Sequence, residues 1–315
     1  MNSNRLLAAA ACLGFMAAAW PAFGQSEQGK AQVQTIVTVM NKNDKEAPPP
    51  VQEKDFKVAV NGKSANVTEL NPLRGTGLEM VVLIDGSART SLGRQLDDIS
   101  KFVQSLPPNA AVGIAYMENG RALFAQALTT DKAKALKSLH LPAGTPGSDA
   151  SPYFCLSDLA KNWPSTNRDN RREVVMITDG VDRYNLRYDP DDPYVQTAIN
   201  DSVRAGLVVY SIYWTSQGRI DRSLYQNNAG QSLLAQVTQT TGGNAYWEGL
   251  GNPVSFSPYF EDLSRRIENQ YELGFIAPAK AKPEVMSVKV KIEMPNTKLD
   301  APERVYVVPG GVAQQ

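Results

Sequence analysis

The chain has few of the residues on which most enzymes and disulfide-stabilised proteins depend. Among its 315 residues there is one histidine, His140, and there are two cysteines, Cys12 and Cys155. One histidine builds no Ser-His-Asp triad unless it reaches the site. If Cys12 is removed with a leader, no internal disulfide can form, so we expect Cys155 to be a small buried hydrophobic side chain.

The common motifs of catalytic sites are also missing. The sequence has no G-x-G-x-x-G after its first strand, no Walker loop, no H-E-x-x-H and no G-x-S-x-G. The best enzyme hypothesis is a metal-dependent phosphohydrolase using Asp85, because such enzymes also place an aspartate after the first strand of a sheet. Ser87 stands where their second aspartate would be, so we expect a protein that is not an enzyme.

Neither sign of charge is in excess. Lysine and arginine together number 32, as do aspartate and glutamate. This balance predicts no general attraction to nucleic acid or to an anionic membrane. Any binding must therefore be local.

The first 24 residues have the pattern of a secretory signal. Arg5 precedes an apolar stretch over residues 6–19, and residues 22–24 form a small-x-small cleavage site. The stretch is shorter than the ~20 residues that a membrane span needs. We expect an exported protein, periplasmic or secreted, whose mature chain begins near Gln25 and has no membrane span.

Two apolar runs carry the strongest signal. Residues 80–84 lead into Asp85 and Ser87, and residues 174–178 lead into Asp179. Each run is typical of a strand that is buried on both faces of a parallel sheet and whose carboxyl end opens into a crevice. Two nearby aspartates raise each other's pKa, so they need a cation, a proton or a bracing donor between them, and we expect a positive group there.

Strand and helix patterns alternate between residues 76 and 270. This alternation predicts an α/β fold with a doubly wound, mostly parallel sheet and one antiparallel edge strand after Asn119-Gly120. Predicted helices cover residues 92–106, 131–140, 151–163, 194–205 and 233–241, and a last one starts at Ser257.

Both ends of the chain have strand patterns instead. Asn61-Gly62 predicts a hairpin near the N-terminus, and three strands are predicted after residue 270. Neither set is large enough to be stable alone, so we expect them to pair in a small flanking β domain made from both termini. The predicted divisions are a signal peptide (1–24), an N-terminal β segment (25–75), the α/β domain (76–270) and a C-terminal β segment (271–315).

The order of these features resembles the von Willebrand factor type A (VWA) domain. The features are Asp85-Gly86-Ser87, a loop with serine and threonine before a middle helix, and Ile177-Thr178-Asp179-Gly180. The likeness covers residues 78–270. More narrowly, residues 54–58 with Asn61-Gly62, and residues 271–275, are similar to the secreted bacterial VWFA-related proteins.

The resemblance implies a metal-ion-dependent adhesion site (MIDAS). In that site oxygens from three loops hold Mg²⁺ or Mn²⁺, and the ion takes an acidic side chain of a partner protein as its last ligand. Asp85 and Ser87 match the first two polar positions of the family's D-x-S-x-S loop, and Asp179 matches its later aspartate.

The middle loop offers three hydroxyls, from Thr145, Ser148 and Ser151. We assign the ligand role to Ser151 because it opens the following helix, and a plain helix cap is the alternative interpretation.

Arg89 stands where the family's loop has its second serine. Either Arg89 turns outward and leaves a weakened site, or its guanidinium lies between Asp85 and Asp179 and replaces the metal. We therefore predict an exported, adhesion-type protein-binding module with a degenerate MIDAS. The alternative is a structural envelope protein in which an Arg89 salt bridge takes the place of the metal.

The loop after Asp179 is the other candidate for binding. Tyr184, Tyr188 and Tyr194 lie there with Arg183 and Arg187, a composition favoured at protein interfaces. A packed loop without a binding role is the alternative.

Overall fold

The computed structural model describes residues 29–43, 46–88, 90–142, 151–185, 187–215, 224–249, 251–310 and 312–313. Within these ranges there are fourteen strands, six α-helices and two 3-10 helices, the latter at Glu53–Asp55 and Thr90–Gln95. The strands are β1 (Gly29–Asn41), β2 (Phe56–Val60), β3 (Lys63–Pro72), β4 (Leu78–Asp85), β5 (Ala110–Glu118), β6 (Arg121–Thr129), β7 (Arg171–Thr178), β8 (Leu207–Tyr213), β9 (Ala245–Tyr246), β10 (Gln270–Ala279), β11 (Glu284–Ile292), β12 (Thr297–Asp300), β13 (Arg304–Val307) and β14 (Val312–Ala313). The helices are α1 (Leu96–Ser105), α2 (Lys132–Lys137), α3 (Pro152–Lys161), α4 (Pro193–Ala205), α5 (Leu224–Thr241) and α6 (Ser257–Glu268).

The central sheet runs in the order β6-β5-β4-β7-β8-β9. All of its neighbouring strands are parallel except β6, which is antiparallel to β5. Strands β4, β7 and β8 are buried at every position, as expected of apolar strands covered on both faces. The predicted doubly wound, mostly parallel sheet with an antiparallel edge strand is confirmed.

Helices cover both faces of this sheet. On one face α1 and α6 meet through stacked rings of Phe102 and Phe260, whose centroids lie 4.4 Å apart. On the other face α3, α4 and α5 contribute Tyr153, Val195 and Leu233 to a second buried cluster. Together β4 to α6 form a layered α/β unit.

The flanking sheet combines both ends of the chain. Its order is β12-β1-β10-β3-β2-β11-β13, and β14 also pairs with β1. Strand β1 is antiparallel to β10 from Gly29 opposite Ala279 to Thr38 opposite Gln270. The expected flanking β domain made from both termini is confirmed, whereas the predicted domain boundaries stay predictions.

Three details differ from the sequence-based expectation. Helix α5 begins at Leu224, nine residues before the predicted start, because residues 226–232 are mostly small or polar and show no apolar spacing. Helix α2 ends at Lys137, and His140 stacks on Tyr116 outside it. Strand β12 is only four residues long, too short for a pattern to reveal it.

Over the described ranges, none of the helices combines the length and the apolar character needed to cross a bilayer. The predicted signal peptide lies outside the described residues.

Candidate functional site at the carboxyl edge of the central sheet

Asp85 is the last residue of β4 and lies at the edge where the parallel strands end, here called the carboxyl edge. Its side chain is 4% exposed. Oδ1 accepts hydrogen bonds from the Ser87 backbone N–H (2.8 Å) and hydroxyl (2.7 Å), and Oδ2 accepts one from the Thr178 hydroxyl (2.6 Å). Oδ1 is therefore held by the loop that follows β4, and Oδ2 by the neighbouring strand β7.

Asp179 follows the adjacent strand, β7, and is 1% exposed. Its Oδ1 accepts from the Val181 backbone N–H at 2.9 Å, and its Oδ2 lies 3.2 Å from Nη2 of Arg183. Burial raises the pKa of Asp85, and the charge of Asp179 raises it further, whereas the hydrogen bonds and the charge of Arg183 lower it. The two predicted aspartates thus share one electrostatic environment.

The loop that carries Asp179 is fixed by close packing and by one buried hydroxyl. Gly180 has a φ of +67°, a conformation that favours glycine. A Cβ there would lie 2.5 Å from the carbonyl oxygen of Gly230 in α5, and a Cβ on Gly230 would lie 2.1 Å from that of Asp179. The hydroxyl of Tyr153 donates to the Gly180 carbonyl at 2.7 Å. The loop therefore has little room to move toward α5.

Ser151 caps α3 and lies near another carboxylate. Its hydroxyl oxygen accepts from the Tyr153 backbone N–H at 3.2 Å, and its side chain lowers the pKa of Asp182. Burial is the larger effect and raises the pKa of Asp182 overall, and its Oδ2 accepts no hydrogen bond among the described residues. Thr145, Ser148 and Arg89, also named from the sequence, lie outside the described residues.

The cap role of Ser151 gives a direct test. Ser151→Ala should lower the free energy of unfolding by about 1 kcal/mol, because the first turn of α3 loses a hydrogen-bond acceptor. Ser151→Thr should retain most of the stability, and Ser100→Ala, within α1, should change it little. Urea denaturation of the three variants measures this, and a fully stable Ser151→Ala would contradict the cap.

The side chains at this site do not match the Mg²⁺ or Mn²⁺ site that the resemblance implies. Hard oxygen ligands are present, but the Asp179 carboxylate is already paired with the guanidinium of Arg183, whose charge repels a cation. In the described part of the chain, no group of three or more histidine, cysteine, aspartate or glutamate side chains is arranged to hold a metal ion. As described, these residues do not fit a divalent cation. The bound metal stays a prediction.

Large apolar side chains are exposed at the carboxyl edge, where this site also lies. Among the described residues they are Leu123, Tyr184, Tyr188, Tyr194, Leu224, Tyr225, Trp247 and Val254, here called the apolar rim. Seven of them lie in loops or first helical turns after β7, β8 and β9, at the carboxyl edge. The eighth, Leu123, lies opposite Tyr116 near the carboxyl end of β5.

The rim is organised by direct contacts. The ring centroid of Phe154 lies 5.0 Å from that of Tyr184 and 4.8 Å from that of Tyr194. The hydroxyl of Tyr225 accepts a hydrogen bond from the Tyr188 backbone N–H at 2.8 Å, which links the loop after β7 to the first turn of α5. Tyr184 is nevertheless 64% exposed. The rim thus presents aromatic surface on a fixed base.

No protein-family model matches the sequence, and no curated protein is similar to it. Solved structures are similar at low identity. An aerotolerance-related membrane protein from Bacteroides fragilis NCTC 9343, with multiple mutations to serines, is 16% identical with a TM-score of 0.44, over 61% of this chain and 98% of that one. BatB from Bacteroides thetaiotaomicron, a conserved hypothetical protein, is 15% identical with a TM-score of 0.43, over 60% of this chain and 98% of that one. The ArnB paralog VWA2 from Sulfolobus acidocaldarius is 10% identical with a TM-score of 0.40, over 87% of this chain and 75% of that one.

The fold class itself rests on the strand order and on the position of the two aspartates. The unit has a mostly parallel sheet with an antiparallel edge strand. Asp85 is the last residue of β4, and Asp179 directly follows β7, as the resemblance implies. In these two respects the α/β unit resembles a VWA domain, and it is called VWA-like below. Within this VWA-like unit the structure brings together Asp85, Ser87 and Asp179, and it places Ser151 beside Asp182.

Three site residues were not predicted from the sequence. Thr178 and Asp182 lie within three residues of Asp179, but neither has a distinguishing pattern. Arg183 was assigned to the loop surface, because an arginine four residues after an aspartate predicts an ion pair only in a helix. Its side chain is 13% exposed and turns back to Asp179.

Proposed function

We propose that this chain is an exported, non-enzymatic module that binds a partner protein at the carboxyl edge of its VWA-like unit. The observation that carries the proposal is the apolar rim at the carboxyl edge, where Asp85 and Asp179 also lie. Large apolar side chains exposed together on one edge are a feature of interaction sites on soluble proteins. Tyrosine and tryptophan are also enriched at such sites.

The rim suits recognition because little has to be ordered when a partner binds. Tyr184 and Tyr194 pack against Phe154, and Tyr225 is hydrogen-bonded to the neighbouring loop. Tyrosine also supplies a large contact area at a low cost in side-chain entropy. The exposed Arg187 adds a cation at the rim, which supports the expectation that the partner presents an acidic side chain.

The non-enzymatic part of the proposal is supported by the state of Asp85. A nucleophilic carboxylate needs a free oxygen facing substrate, but each Asp85 oxygen accepts a hydrogen bond from Ser87 or Thr178, and the side chain is buried. Export is proposed from the signal-like pattern of residues 1–24. If the rim proves inert, the structural envelope protein is the better hypothesis.

Capture by the purified mature chain tests the proposal. The bait is compared with Tyr184→Ser/Tyr225→Ser and with Lys289→Ser/Lys291→Ser, a control on the exposed face of the flanking sheet. Envelope extract of the producing bacterium is passed over each, and retained proteins are quantified by mass spectrometry. We expect one partner to be lost about 10-fold or more from the rim variant, since central aromatic residues often contribute ~2 kcal/mol or more to binding.

Two results would contradict the proposal. The first is equal retention of every protein by the rim variant and the wild type. The second is metal-dependent hydrolysis of a phosphoester panel that Asp85→Ala abolishes, which would establish the phosphohydrolase instead.

A further inference from the structure

We infer that Arg183 is the resident counter-charge of the Asp85–Asp179 site and that this site works without a divalent cation. The inference goes beyond the proposed function, since it concerns what balances the charge of the site and not what docks on it. It starts from a physical requirement. Two buried, ionised carboxylates at the ends of adjacent strands need a positive charge nearby.

The neutral hydrogen bonds of the site do not meet this requirement. Ser87 and Thr178 donate to Asp85, and Val181 donates to Asp179, but none of these groups carries charge. They orient the carboxylates and leave the site with two negative charges when both are ionised. Either a proton or a cation must balance them, and the charge of Arg183, which lowers the pKa of Asp85, favours the ionised pair.

Arg183 is placed to do so. Its Nη2 lies 3.2 Å from Asp179 Oδ2, and its Nη1 lies 3.4 Å from the Val181 carbonyl oxygen, so the guanidinium is held at two points of one loop. Its charge also acts on Asp85, whose pKa it lowers. One arginine therefore serves both aspartates, which is the effect that a bound metal has in a MIDAS.

The loop that carries this arginine is packed against a helix. The Asp179 and Gly180 backbone lies directly against Gly230 of α5, at a separation that leaves no space for a Cβ on either glycine. Arg183 is four residues from Asp179, and its guanidinium contacts both Asp179 and the Val181 carbonyl oxygen of this loop. A divalent ion that entered would therefore meet the positive charge of Arg183.

The test uses the full mature chain and needs no partner. Wild type, Arg183→Gln and Arg183→Lys are compared by thermal unfolding with and without millimolar Mg²⁺, and Mn²⁺ binding is measured by calorimetry. The matched control is Arg204→Gln. It also removes one arginine from an Arg–Asp pair, with 3.1 Å between Nη1 and Asp201 Oδ1, but Arg204 is half exposed and Asp201 retains Lys161.

The expected pattern is specific. Wild type, Arg183→Lys and Arg204→Gln should show no change in Tm with Mg²⁺. Arg183→Gln should unfold at a lower temperature, because the two carboxylates lose their counter-charge. It should then regain roughly 3 °C when Mg²⁺ reaches about ten times its Kd. Arg183→Gln combined with Asp85→Asn should lose that response.

The inference is overturned if wild type binds Mn²⁺ with one-to-one stoichiometry and Asp85→Asn abolishes the binding. It is also overturned if Arg183→Gln is as stable as wild type, or is folded but insensitive to Mg²⁺. If Arg183→Gln does not fold, the wild type and Arg183→Lys still test the inference. A change in the Tm of either protein with Mg²⁺ overturns the inference, and no change in either supports it. These readouts are separate from partner capture, so failure of the proposed function would leave them unaffected.

Discussion

Gly230→Ala should destabilise the protein by about 3 kcal/mol, although the same change in an open helix would stabilise it. Within a helix, alanine is favoured over glycine by about 1 kcal/mol. In α5, however, a Cβ on Gly230 would lie 2.1 Å from the Asp179 carbonyl oxygen, so either the helix or the site loop must move. Steric conflict of this kind in a packed interior accounts for the larger mutational losses.

Chemical denaturation measures this effect, with Gly93→Ala as the control. The nearest atoms to a Cβ on Gly93 are methyl carbons of Leu141 at 3.7 Å, an ordinary contact, so this variant should stay close to wild type. A Gly230→Ala protein as stable as wild type would show that α5 lies farther from the Asp179 loop than the structure places it.

Glu173→Gln should make the protein more stable at pH 8 and remove part of its pH dependence. Glu173 lies within β7, is fully buried, and neither of its oxygens accepts a hydrogen bond of normal geometry from the described residues. Burial raises its pKa, against smaller opposing effects of Arg171 and Gln270. The native state therefore holds the proton more tightly than the unfolded chain does.

The sign of the expected change in stability follows from that difference in proton binding. The contribution of protonated Glu173 to stability is full below the pKa of the unfolded chain and is lost as the pH rises through the raised pKa of the native state. Glutamine does not ionise, so the variant should lack this loss and be more stable than the wild type at pH 8. Urea denaturation from pH 4 to pH 8 measures it.

Glu79→Gln is the matched comparison and should have the opposite sign. Glu79 lies on the neighbouring strand β4 and is also buried, but it accepts hydrogen bonds from Trp163 Nε1 at 2.7 Å and from Asn170 Nδ2 at 3.1 Å, and Arg172 Nε lies 3.8 Å away. An amide provides only one acceptor oxygen, so a donor loses its partner and stability should fall. Equal effects of the two substitutions would mean that the surroundings of these glutamates do not differ as described.

Much of the fold was predictable because its signals are local and repeated. A few consecutive residues are enough to predict the apolar strands β4 and β7 and the Asn61-Gly62 turn. Asn61 and Gly62 do have positive φ angles, of 48° and 77°. The start of α5 was not predictable, because residues 226–232 are mostly small or polar and show no apolar spacing. Strand β12 was too short to carry a pattern.

The candidate site also has residues that the sequence predicts and one, Arg183, whose role the sequence does not predict. Asp85, Ser87 and Asp179 were found because they directly follow buried strands, whose carboxyl ends must meet at one edge. The need for a positive charge there was also predictable from two adjacent aspartates. Its source was not. Arg183 reaches Asp179 only through the fold of an irregular loop, which no periodicity encodes.

The arrangement of the flanking sheet sets the order in which the molecule can be completed. Strand β1 leaves the ribosome early, yet the strands on either side of it, β10 and β12, belong to the last fifty residues of the chain. These pairings span more than 230 positions, so they close late and slowly. If the chain is exported, as proposed above, the pairing of β1 with β10 and β12 would thus form only after those two strands had crossed the membrane.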